Sequence, residues 1–317
     1  MYFPFLRGKQ FELIALREIA QVISNGKKIN PIIEPVKKKT STYISSIKAL
    51  QEGNVNFTII INPYVGDVKE NINYVCSNLL PPLAYRNFQL GILVHNKTEL
   101  NDITHELIQL GLGDCNLVVV LSTINENKFD ELKTFINNHN VKFILTGSQI
   151  TNRRTILRGL RKVSDNLISL SDPYNKQVRN KDYAEEEDEF FSEEHLYFKE
   201  EGYKGYSDLL TIGQDYSDKG YSPYAVAIHL TYLAEDSVFR IHHFVSDSNE
   251  DTSDVAGKFG EALDKLIPFI NNNNIYTKAS NEFRKLYEES KYPGLGTVKK
   301  LSILNHIELV NNYFSKQ

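Results

Sequence analysis

Apolar residues fall in short unbroken runs along the first two thirds of the chain: Tyr2–Leu6, Pro31–Pro35, Phe57–Asn62, Phe88–His95, Asn116–Ser122, Lys142–Thr146 and Asn166–Ser171. They recur every 25–30 residues or so, roughly the length of one strand-plus-helix unit. Most show no alternation, as in Thr58-Ile59-Ile60-Ile61 and Leu117-Val118-Val119-Val120-Leu121. Parallel strands covered on both faces have this pattern. The stretches between them carry a helical period. Phe11, Ile14, Ile19 and Ile23 share one face, with Asn25-Gly26 as the expected stop. Leu100, Ile103, Leu107 and Leu110 form a second stripe, and Phe129, Leu132 and Ile136 a third.

Strand and helix in regular alternation allow an open doubly wound sheet or a closed (β/α)8 barrel. No G-x-G-x-x-G follows the first strand, so the open dinucleotide fold lacks its marker. Tyr206–Gly213 supplies an eighth strand, and the fold expected is a (β/α)8 TIM-like barrel over residues 1–215. An insert over 172–204 is expected to hold a helix around Tyr183–Lys199, with Glu185–Glu189 as its solvated acidic start.

Beyond residue 216 the pattern changes. Ala225–Leu233 and Val238–Val245 read as an antiparallel hairpin, and three helices follow near Val255–Ile270, Asn281–Lys291 and Thr297–Phe314. This 216–317 region is expected to cap the barrel as part of one continuous unit. Val226, Ile228, Leu230 and Tyr232 share an apolar hairpin face that requires cover. Val298, Leu301, Ile303, Leu304, Ile307 and Val310 make the last helix apolar over much of its girth, a surface expected to meet other helices, a second copy or a partner.

Composition narrows the class. The 317 residues are 41% hydrophobic and 24% charged, with a net charge of −4. These are globular proportions, without the positive field that attracts nucleic acid or anionic lipid. The two cysteines, Cys76 and Cys115, form no paired-ligand motif. No stretch reaches the ~20 apolar residues of a membrane span, and the N-terminus lacks the pattern of a secretion signal. A cytoplasmic protein is expected.

Ligand sites of such barrels gather at the carboxyl ends of the strands. Arg7, Lys9, Glu34, Asn62, His95, Ser148 and Asp172 end or follow the predicted strands. Glu34, His95 and Asp172 are the catalytic candidates, as two carboxylates and an imidazole can trade protons. Arg7, Lys9 and Asn62, with His229 from the hairpin, are the candidates for an anionic ligand. The competing account pairs Glu34 with Arg7 as a structural tie. No ligand spacing supports a metal site, and no cofactor motif is present. His242 and His243 are strand neighbours and point to opposite faces; His229 is placed to meet one of them across the hairpin. Arg153, Arg154, Arg158, Arg161 and Lys162 read as a solvated helix face. Pro293–Thr297 reads as a glycine turn capped by Thr297.

Several segments together resemble the bacterial beta protein family, named after a satellite-phage protein. They are Tyr2–Arg17, Pro31–Pro35, Asp188–Ser192, Tyr224–Thr231, His242–Asp247 and Pro293–Thr297. The resemblance spans nearly the whole chain and names no reaction. It implies membership of anti-phage defence or toxin–antitoxin-type gene pairs, with a nuclease-like effector encoded nearby as the partner. Two functions follow as expectations: a barrel protein that binds and controls that effector, sensing a small anionic ligand, or a barrel enzyme acting on a phosphorylated metabolite or nucleotide. Membrane binding and direct nucleic-acid binding are not expected.

Overall fold

The structure, a computed structural model, describes every residue except 25–27, 83–84, 86, 125, 148–149, 151–152, 214, 218–221 and 317. The expected helix stop at Asn25-Gly26 and the strand-end Ser148 lie outside the described residues. Among the described residues, nine strands precede the hairpin: β1 (Tyr2–Leu6), β2 (Ile32–Ile33), β3 (Phe57–Ile60), β4 (Phe88–His95), β5 (Leu117–Thr123), β6 (Val141–Gly147), β7 (Leu167–Ser171), β8 (Asp188–Ser192) and β9 (Gly205–Asp208). All but β8 form a closed parallel barrel in the order β1-β2-β3-β4-β5-β6-β7-β9. Surrounded by helices, it is a (β/α)8 TIM-like barrel. The first strand settles closure: Phe5 pairs with Ile32 on one side and Phe3 with Ser207 on the other. An open sheet would have left β1 without one of these neighbours.

The chain divides into two compact units. The first holds residues 1–9, 24–172 and 194–208; the second holds 10–23, 173–193 and 209–317. In the first, the helices are α2 (Ser41–Glu52), α3 (Ile72–Asn78), α4 (Leu100–Gln109), α5 (Phe129–Asn138), α6 (Arg153–Leu160) and α7 (Glu194–Tyr197), whereas α1 (Gln10–Ile19) belongs to the second. Thr40 caps α2 by accepting from the Tyr43 N–H, and Asn71 caps α3 from Tyr74. The rings of Phe3 and Phe143 meet at 5.1 Å although β1 and β6 are not neighbours. They therefore point into the barrel. Strand alternation then carries Phe5 and Arg7, Ile32 and Glu34, Thr58, Ile60 and Asn62, and Leu93 to the same interior.

The expected helix near Tyr183–Lys199 is replaced. A 3₁₀ turn at Asn180–Ala184, strand β8 and the short α7 occupy that stretch. Long-range pairing overrides the local acidic pattern here: β8 joins β10 (Ala227–Leu233) and β11 (Phe239–Val245) in a three-stranded antiparallel sheet of order β10-β11-β8. Phe191 is buried and Phe190 exposed, the period of a strand.

The second unit is completed by α8 (Val255–Asn272), α9 (Lys278–Glu288) and α10 (Leu295–Ser315). On one sheet face Phe269 of α8 packs on Tyr232, His242 and Phe244. On the other, Asn305 and His306 of α10 bond Thr231. Thus Val226, Ile228 and Leu230 are buried. The six apolar residues of α10 named above are also buried within the single chain. Self-association through them loses its exposed face. Helix α10 begins after Gly294, at φ 87°, rather than at a Thr297 cap; Thr297 Oγ1 donates to the Pro293 carbonyl. Gly296 lies against the Phe11 ring, where a Cβ would come within 2.0 Å of a ring carbon. The glycine turn therefore serves the packing of α10 on α1.

Candidate functional site

At the barrel mouth the structure joins some of the expected residues. Arg7 Nε lies 3.3 Å from Glu34 Oε2, and Glu34 is only 3% exposed. The other oxygen, Glu34 Oε1, accepts from the Tyr64 N–H at 2.8 Å. The Tyr64 ring then packs on the His95 imidazole at 4.4 Å between centroids. Arg7, Glu34 and His95 thus form one chain of contacts through Tyr64, a residue that followed the predicted strand end but was not singled out. His95 Nδ1 accepts from the Lys97 N–H at 3.2 Å, which leaves the ring proton of the neutral form on Nε2. Burial lowers the His95 pKa, Glu70 opposes this, and Lys97, Lys69 and Lys128 lower it further. Neutral imidazole is the favoured state.

The other candidates have different roles. Asn62 spends its amide on the backbone of the next strand, donating to the Leu93 carbonyl and accepting from the Leu93 N–H, both at 2.8 Å. That two-way bond locks the ends of β3 and β4 together. Lys9 is half-buried after the turn at Gly8, and Asp172 is exposed one residue past β7. His229 lies in the second unit.

Sequence reasoning missed a buried polar seam in the first unit. The Tyr2 hydroxyl donates to Asp208 Oδ1 at 2.6 Å between the strands that close the barrel. Burial raises the Tyr2 pKa, with the adjacent Asp208 charge adding to it. Glu194 of α7 is pushed above the usual carboxylate value by burial, against a hydrogen bond from Ser169. Asp208 within a predicted strand was the available signal.

A second constellation lies on the small sheet of the second unit. On one face Asp188 accepts from Arg240 Nε at 2.5 Å, the Tyr232 hydroxyl at 2.8 Å and His242 Nδ1 at 3.0 Å. Burial alone would raise the Asp188 pKa, but these bonds hold it below the usual carboxylate range. On the opposite face Glu189 Oε1 lies 2.9 Å from His243 Nε2, and His243 Nδ1 lies 2.8 Å from His229 Nδ1. The sequence anticipated that His229 would meet one of His242 and His243; the structure makes it His243, its direct register partner. It did not anticipate Glu189. Among the described residues, no group of three or more His, Cys, Asp or Glu side chains is arranged to hold a metal ion.

Comparison with known proteins adds no family. No family model matches the chain, and no curated protein matches it. Among solved structures, the enoyl reductase domain of MlnA from the macrolactin biosynthesis cluster of Bacillus amyloliquefaciens aligns at 8% identity and a TM-score of 0.25, covering 98% of this chain and 81% of that one. Likeness at that level carries no argument about fold or function. Among the described residues no helix is long and apolar enough to cross a membrane. The chain is a TIM-like barrel protein with an additional antiparallel sheet and helices.

Proposed function

We propose that this chain is the binding and control component of a defence or toxin–antitoxin-type gene pair, a barrel protein whose second unit engages an effector protein. The observation that carries this reading is a groove of about 450 Å3 in the second unit. Val178, 90% exposed, and Tyr224, 58% exposed, line it together with Arg179 and Lys181. Glu250 also lines it and Asp182 already pairs with Arg179, so it is the solvent-facing Val178 and Tyr224 that suit the apolar residues of a partner segment. Tyr224 also lies in a segment that carries the resemblance to the beta protein family. At the barrel mouth Glu34 already meets the Arg7 charge, so this reading places no anion site there. An enzymatic reading has one specific observation in its favour, the Glu189–His243–His229 chain.

Co-expression with the product of the adjacent gene tests the proposal. A stoichiometric complex is expected by size-exclusion chromatography with light scattering. Val178→Asp and Tyr224→Glu should each weaken it at least tenfold by calorimetry and abolish protection in a phage plating assay. Both side chains are exposed, so neither change should disturb folding. No complex with that gene product, or variants that bind as wild type does, would overturn the reading.

A further inference from the structure

We infer that His229 is a proton acceptor, set in its reactive tautomer by Glu189 through His243, at a site that takes a ligand presenting an O–H group. Hydrogen-bond bookkeeping along the chain leads there. A carboxylate only accepts, so Glu189 requires the proton of His243 on Nε2, 2.9 Å away. Neutral His243 then has a bare Nδ1. The 2.8 Å contact between the two Nδ1 atoms needs one proton, and only His229 can supply it. With its proton on Nδ1, His229 carries its lone pair on Nε2. That nitrogen has no hydrogen-bond partner among the described residues, and His229 keeps part of its surface exposed.

The ring is also held in place. Tyr174 and Tyr183 meet it edge-on at 5.5 and 4.6 Å between centroids. Tyr183 is anchored in turn, its oxygen accepting from the Gln177 N–H and lying 2.6 Å from the Tyr174 hydroxyl. A side chain fixed by its supports is what a reactive group requires. The charged and titratable groups that bear on it are Glu189 and His243 from the sheet, Tyr174 and Tyr183 from the preceding segment, and Lys299 from α10. Burial, His243 and Lys299 all disfavour a protonated His229, while burial outweighs Glu189 at His243. A neutral ring brings no cation to an anionic ligand, so the expected anion-binding role gives way to that of an acceptor.

The proton balance is simple. A ligand O–H gives its proton to His229 Nε2, and the oxygen retains the electron pair of the broken bond. The Nδ1 proton of His229 can then pass to His243, where Glu189 faces the resulting imidazolium. Water or an alcohol satisfies this chemistry, which is that of a base oriented by a second group.

Tautomer-resolved nitrogen NMR of the full chain tests the assignment directly. His229 is expected as the Nδ1–H form at pH 7. Diethyl pyrocarbonate, which attacks a bare imidazole nitrogen, then reads the same lone pair. For a histidine peptide of ordinary pKa, about 6.5, the rate should fall roughly tenfold between pH 7.5 and 5.5; at His229 it should change less than about twofold. Glu189→Leu should leave a tautomer mixture and slow the reaction at every pH, while the shallow pH profile, which burial sets, remains. If that variant does not fold, the wild-type tautomer decides alone. An Nε2–H form of His229, or a wild-type profile matching the peptide, would overturn the inference. The effector groove is a separate matter: failure to bind the neighbouring gene product would leave the tautomer and the reactivity as described.

Discussion

Breaking the Arg7–Glu34 pair should destabilise the barrel more than either residue's size suggests. At 3.3 Å the Coulomb attraction of unit charges is about 5 kcal/mol at an effective dielectric of 20. Much of that offsets the desolvation of both groups, whose side chains are 11% and 3% exposed. Removing one partner leaves the other charge buried, at a cost of about 3 kcal/mol. Glu34→Gln retains an oxygen for the Tyr64 N–H and loses mainly the charge. Glu34→Leu also orphans that donor and should cost about 1 kcal/mol more. Arg7→Met should resemble Glu34→Gln. The double variant Arg7→Met/Glu34→Leu should return to within about 2 kcal/mol of wild type, because no uncompensated charge remains. Urea unfolding followed by far-ultraviolet circular dichroism gives the cycle, provided the slopes stay constant. The expected coupling exceeds about 2 kcal/mol. Single losses below about 1 kcal/mol that simply add in the double variant would refute the reasoning and show the pair to be solvent-screened.

Two further outcomes follow from the second unit. Gly296→Leu should force α10 away from Phe11 and lower the unfolding midpoint by the equivalent of about 2 kcal/mol, the cost of overpacking; a midpoint equal to wild type would show that α1 yields freely. His229 and His243 titrate below their ordinary value in the folded chain, so the unfolded chain binds protons first as pH falls. Stability from these residues is complete above about pH 6.5 and lost below it. A His229→Gln/His243→Gln double variant should flatten the slope of stability between about pH 6.5 and 5, and an unchanged slope would exclude these residues as its source.

The barrel was legible because its strands are unbroken apolar runs, a signal contained within each segment. Even closure could be read, since the expected eighth strand, Tyr206–Gly213, overlaps β9, which pairs with β1; only its first three residues are strand, and the chain turns after Asp208. β8 could not be read locally. Its acidic start looks like a solvated helix, and the residues that neutralise Asp188 lie far along the chain at Tyr232, Arg240 and His242. The mouth residues were legible because strand ends are fixed once the runs are known. Their contacts were only partly so: the Arg7–Glu34 tie was foreseen, whereas the Asn62 clamp depends on Leu93 of the neighbouring strand, and the Tyr64 link on the turn after β3. In the second unit the hairpin pattern placed His229 against one of His242 and His243, and the register of the folded hairpin selects His243. Glu189 required the position of a third strand, which no local pattern supplies.

That third strand separates two roles by parity. Asp188 and Glu189 are sequence neighbours, as are His242 and His243, and in extended strands neighbours face opposite ways. Asp188 stands directly opposite His242 in register. Glu189 stands opposite Ile241, which brings it diagonally to His243 on the other face. One acidic dipeptide and one histidine dipeptide thereby make two acid–imidazole pairs, kept apart by the sheet itself. The first is closed: Asp188 meets a guanidinium, a phenol and an imidazole, and so holds β8 to the hairpin. The second runs on from His243 to His229 Nδ1, leaving His229 Nε2 without a partner among the described residues. A shift of one residue in the β8 register would exchange the faces of Asp188 and Glu189. It would withdraw each carboxylate from its imidazole. The many bonds of Asp188 therefore also fix the parity on which the His229 relay depends.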